Sequence, residues 1–187
     1  METPNLVQHI RRFVILNDNE RGILESCTQR LSLEKFSFLL QKGEIGSSIY
    51  FVEKGCLRMF FEKAKSIELT TQFAIENWWL TDFFSFMDNT PTDYFIQALE
   101  QSEIISIDKV SYQKLLIEIP QLQDYFGTIM QRNIAAAQLR IRYMFEMSNE
   151  EILQHFTTSF PDFMNRVPLQ MVYSYLGISH DGKKLIS

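Results

Sequence analysis

Cysteine is scarce in this chain: among 187 residues only Cys27 and Cys56 occur. Two thiols about thirty residues apart, with no pairing pattern, exclude a disulfide scaffold and fall short of the four thiolates an iron–sulfur cluster normally takes. No basic-then-apolar leader opens the chain, so the expected setting is the reducing cytoplasm. Long hydrophobic runs are lacking too. Between Ile49 and Phe61, Glu53, Lys54 and Arg58 interrupt the apolar sequence well short of the roughly 20 residues a membrane-spanning helix needs. No membrane segment is expected. Positive charge is in the minority, 18 Lys and Arg against 23 Asp and Glu for a net −5. That balance excludes an evenly basic coat for nucleic acid and leaves room only for a local basic face. Catalytic signatures are missing as well: no G-x-S-x-G elbow, phosphate-binding loop, G-x-G-x-x-G or H-E-x-x-H occurs, and His9, His155 and His180 are scattered. An enzyme is not expected.

What the chain has in quantity is phenylalanine, 16 residues of it, much of it between Tyr50 and Phe95. The first segment predicts two short helices, one starting at Thr3-Pro4 and one capped by Asn17-Asp18-Asn19-Glu20. From about Leu31 the pattern shifts to short apolar or alternating pieces: Lys35 to Leu40, Ser48 to Val52, Leu57 to Phe61, Ile67 to Phe73, Tyr94 to Leu99 and Ile104 to Ile107. Turn signals separate them at Lys42-Gly43-Glu44, Lys54-Gly55 and Asp88-Asn89-Thr90-Pro91. Short strands so spaced predict an antiparallel barrel or sandwich.

After Asp108, a natural cap, a helix runs to about Ile119, Pro120 breaks it, and a longer helix follows to about Met147. On that helix Phe126, Met130, Ile134, Ala137, Ile141 and Met144 recur at helical spacing as one apolar stripe, which needs a partner surface. Burial against the chain's own sheet and a symmetric helix pair in a homodimer both satisfy it. Ser148-Asn149-Glu150-Glu151 reads as a capping box restarting a helix, which places a hinge near residue 147. That helix ends at Pro161, and a further one runs from Pro168 to Gly177. The chain thus divides into 1–119, a linking helix at 120–147, and 148–187.

The order of helices, strands carrying Ser48-Ile49-Tyr50-Phe51-Val52-Glu53-Lys54-Gly55-Cys56-Leu57-Arg58, long helix, then Tyr175-Leu176-Gly177-Ile178-Ser179, resembles the cyclic-AMP receptor protein and fumarate-nitrate regulator (Crp/Fnr) superfamily. Thr71-Gln72-Phe73, Trp78-Trp79, Asp82-Phe83 and Ser85-Phe86 are most similar to a short-chain subgroup of it. The resemblance implies an α+β fold: a double-stranded β-helix jelly roll that binds an effector, flanked by helices, a long dimerisation helix, and a C-terminal winged-helix-like helix-turn-helix reading DNA. It implies transcription regulation by a homodimer, with residues 1–119 as the cyclic nucleotide-binding-like domain.

Cyclic-nucleotide binders of that superfamily clamp the phosphate with helix-start amides and an arginine, while a glutamate accepts from the ribose. The aligned places here hold Thr81-Asp82 and Thr92-Asp93, so the arginine is missing and an anion would meet carboxylates. Each lost charged hydrogen bond is worth about 1.5 to 3 kcal/mol, so cAMP is not expected as ligand or cofactor. Ala135-Ala136-Ala137 on the long helix lacks the hydroxyls that contact adenine. Effector-pocket candidates are Thr81, Asp82, Thr92, Asp93, Trp79, Phe73 and Ala136. At the C-terminus Ser179 would cap a second, shortened helix, with Ser179, His180, Lys183 and Lys184 as the DNA-facing candidates. No arginine follows Arg166, so DNA binding is expected to be weakened. The competing reading is a degenerate sensing or protein-interaction module that does not bind DNA.

Overall fold

The computed structural model describes residues 4–63 and 67–178. Helices α1 (Pro4–Ile10) and α2 (Asp18–Ser26) precede strands β1 (Gln29–Leu33), β2 (Phe38–Leu40), β3 (Ser48–Lys54), β4 (Leu57–Glu62), β5 (Glu68–Ala74) and β6 (Trp79–Leu80). A short helix α3 (Phe83–Asp88) interrupts, then come β7 (Phe95–Ala98) and β8 (Ser102–Asp108). The rest is helical: α4 (Lys109–Glu118), α5 (Gln121–Glu146), α6 (Asn149–Ser159), α7 (Pro161–Arg166) and α8 (Leu169–Leu176).

The strands form two four-stranded antiparallel sheets, ordered β1-β8-β3-β6 and β2-β7-β4-β5. Period-two alternation decides what each face buries. On β3, Tyr50 and Val52 point between the sheets, where they meet Leu40, Leu57, Leu80, Ile96 and Ile104. Ile49 and Phe51 point the other way, and with Ile105 and Ile107 of β8 they form the floor for Leu6, Ile10, Leu24, Leu115, Leu122 and Tyr125. A third cluster joins Cys56, Phe73 and Leu99 of the sheets to Ile152, Phe156, Phe163, Val167, Val172 and Leu176 of α6–α8. The two-sheet domain is thus covered by helices from both ends of the chain.

Local chemistry explains the helix boundaries. Asn17 and Ser148 each close a full capping box, with Glu20 and Glu151 returning to the cap amide. Asp108 accepts from the Ser111 amide to start α4. Gly177 ends α8 in the left-handed region at φ 73. Between β3 and β4, Gly55 sits at φ +107 with Ser102 so close that a Cβ there would lie 2.1 Å from its Oγ, and only glycine fits.

Several expectations need correction. The piece Lys35 to Leu40 is not one strand: Phe36 takes φ 68 in a turn, and β2 begins at Phe38. Strands β1 and β6 and helices α3 and α7 arise where none was assigned. Within the chain, the apolar stripe on α5 is only partly covered. Phe126 packs on the chain's own Trp79, Tyr112 and Tyr125, and Met144 lies against Gly177. Ile134, Ala137 and Ile141 are exposed, and Phe145 beside them is exposed as well.

Candidate functional site

The segment from β6 to β7 gathers two of the pocket candidates, Asp82 and Thr92, into one buried network with Ser85, and Thr81 is buried next to it. Asp82 caps α3: its Oδ1 accepts from the amides of Phe84 at 3.1 Å and Ser85 at 3.4 Å. Its Oδ2 accepts from the Thr92 hydroxyl at 2.6 Å, and that hydroxyl in turn accepts from the Tyr94 amide at 3.0 Å. Ser85 accepts from the Gly46 amide at 2.7 Å and donates to the Thr90 carbonyl. Thr81 donates to the Ser48 carbonyl at 2.9 Å. Thr81, Asp82, Ser85 and Thr92 are all buried. Each polar side chain is therefore satisfied inside the protein, and the only charge in the cluster is a carboxylate. Asp93 stands apart, exposed and paired with Lys42 at 3.5 Å.

Trp79 serves a different centre. Its indole N–H donates to the Tyr125 hydroxyl at 2.8 Å, and the same hydroxyl lies 2.8 Å from Nδ1 of His9. With the indole donating, the hydroxyl proton is directed at Nδ1 of a neutral ring. Burial, reinforced by Arg12 and Arg132, lowers the His9 pKa to about 4. This relay ties α1, β6 and α5 together. Beside it lies a cavity of ≈ 20 Å³ lined by Ile49, Trp79, Leu80, Thr81, Phe126 and Met130, room for about one water. Phe73 and Ala136 do not join the other candidates. Phe73 packs against Phe163 and Tyr175, both at 5.2 Å between ring centres, and Ala136 is exposed on α5. Burial pushes the Cys56 thiol up to about 12, which leaves it without thiolate chemistry.

At the other end, α8 lies along β5. Ser174 accepts from the Thr70 amide at 2.7 Å and donates to the Glu68 carbonyl at 3.1 Å. Arg140 of α5 donates to the carbonyls of Thr71 at 2.9 Å and Tyr175 at 3.3 Å while stacking over the Tyr175 ring. Arg166 forks between Glu76, at 2.9 Å to both oxygens, and Glu100. The DNA-facing candidates Ser179, His180, Lys183 and Lys184 lie outside the described residues.

Residues 30–118 match the cyclic nucleotide-binding domain family. The match spans both sheets from Arg30 onward and includes the Asp82–Thr92 network. No curated protein matches the chain significantly. Among solved structures, the chain shares its fold with FixK2 from Bradyrhizobium japonicum, at 11% identity and a TM-score of 0.71 over 83% of this chain and 80% of that one. It is likewise similar to the c-di-GMP responsive global regulator CLP of Xanthomonas campestris, at 14% identity and TM-score 0.71 over 88% and 87%. The catabolite activator protein of Thermus thermophilus matches at 17% identity and TM-score 0.59 over 91% and 81%. These likenesses establish a Crp/Fnr-type fold.

Within the matched residues, the charge in the Asp82–Thr92 network is negative. The Thr92 hydroxyl is committed to Asp82, a buried hydrogen bond to a charged group. Thr81-Asp82 and Thr92 were picked out by the family resemblance. Gly46, which completes the network, carried no sequence signal, because it meets Ser85 only across 39 positions of chain.

Proposed function

We propose that this chain is a Crp/Fnr-like transcription regulator: a cytoplasmic homodimer whose two-sheet domain senses a small effector other than cAMP and controls DNA binding by the C-terminal helices. The observation that carries this reading is the exposed apolar seam of Ile134, Ile141 and Phe145, which are 52%, 50% and 68% exposed. It lies on the one helix that links the domain matching cyclic nucleotide binders to α6–α8. A seam of this kind suits pairing with a second copy through interdigitating side chains. No helix among the described residues is long and apolar enough to cross a membrane.

Light scattering on a sizing column tests the dimer. The wild type elutes at twice the chain mass, while Ile141→Glu, which places a charge in the seam, elutes at the chain mass with an unchanged helical spectrum. A wild type that stays monomeric at about 50 μM, where a pair with a Kd of about 1 μM would be mostly dimer, removes the basis of the reading. Titration with cAMP and cGMP is expected to give no heat at micromolar protein. Selection from a random DNA pool separates the regulator from the non-binding module, a reading favoured by one observation, the engagement of α8 with β5.

A further inference from the structure

We infer that α6–α8 form an arm held on the two-sheet domain by a separable latch, Arg166 between Glu76 and Glu100, and that the described arrangement is the latched state. The arm has an apolar centre of its own: Phe156 packs on Phe160, Phe163 and Tyr175, with Ile152, Val172 and Leu176 buried around it. It meets the domain through an apolar seam in which Cys56, Phe73 and Leu99 are buried with the arm, Phe163 and Tyr175 stacking on Phe73 and Phe160 on the half-exposed Trp78. Polar contacts surround this seam, and they are built to part. Arg166, Glu76 and Glu100 keep side-chain exposures of 24%, 36% and 34%, so water reaches all three charges. Glu76 also accepts from the Gly55 amide at 2.8 Å, which gives it a partner that stays when Arg166 leaves. Arg140 likewise retains the Thr71 carbonyl when Tyr175 departs. Release therefore strands no charge in an apolar site, the circumstance that makes breaking a buried pair costly.

The latch has a consequence for the proposed regulator, and that consequence rests on the reading above. Helix α8 is the element the sequence assigns to the first helix of the DNA-reading motif, and in the latched state Ser174 and Tyr175 commit one of its faces to β5. Reorienting α8 toward DNA requires the arm to lift.

Hydrogen exchange on the full chain, read by mass spectrometry and NMR, tests this. In Arg166→Ala, and in the milder Glu100→Gln should the first not fold, the amides of Thr70 and of α8 are expected to exchange about two- to fivefold faster, the range for losing a partly exposed charged contact. Amides along β3 and β8 stay unchanged, and raised salt speeds the same α8 and β5 amides in the wild type only. Trp78 fluorescence shifts in parallel. Unaltered exchange at Thr70 and α8 in a folded variant overturns the latch. Faster exchange without DNA binding by either protein supports the latch and overturns the regulator reading instead.

Discussion

Lowering the pH should loosen the chain through one imidazole. His9 is buried against Phe13, Phe51 and Tyr125, and its pKa falls from 6.5 to about 4. The unfolded chain therefore binds a proton at a pH where the folded one does not. With the folded value depressed, stability from the neutral ring is fully present above pH 6.5 and is lost as pH falls toward 4. Linkage gives a loss of about 2 kcal/mol at pH 5 and about 3 kcal/mol once both states are protonated. For a domain whose total stability is about 5–15 kcal/mol, that is a measurable share. Urea unfolding of wild type and His9→Gln at pH 7 and pH 5 isolates the effect, since carboxylate titrations are common to both proteins. The wild type should lose about 2 kcal/mol more than the variant over that interval. Equal losses in the two proteins would refute the assignment of a neutral His9 held by the Tyr125 hydroxyl.

Other substitutions probe the remaining features. Gly55→Ala forces a Cβ to 2.1 Å from Ser102 Oγ at φ +107, and thermal unfolding should show a loss above about 2 kcal/mol. Asp82→Ala removes the α3 cap and leaves the Thr92 hydroxyl without its acceptor. Urea midpoints should report a cost of about 1–3 kcal/mol. Ser148→Ala breaks one arm of the α6 capping box and should cost about 1 kcal/mol, read as a fall in melting temperature with the α5 seam unaffected.

Local signals were the ones legible in the sequence. Asn17, Asp108, Ser148 and Gly177 act within four residues of themselves, so their side-chain chemistry fixes helix ends without knowledge of the rest. Strands β3, β4 and β8 were visible because each buries alternate residues on two apolar faces. What escaped depends on distant partners. Strand β6 is two residues long and exists by pairing with Tyr50 and Phe51. Trp79 looked like a pocket wall, yet its indole serves Tyr125, 46 positions away. Phe73 lies in the same alternating strand as Ala74, and which neighbour faces the arm follows from α8, not from β5 itself. Arg166 meets acids 66 and 90 positions earlier, a relation no spacing rule encodes.

Strand β5 closes its sheet in the order β2-β7-β4-β5, and the Ser174 hydroxyl occupies one outward amide and one outward carbonyl of that strand. A protein truncated before Leu169 would leave those groups bare beside the apolar Phe73, an invitation to strand-by-strand self-association. Helix α8 thus shields an open strand edge and acts as a guard against aggregation.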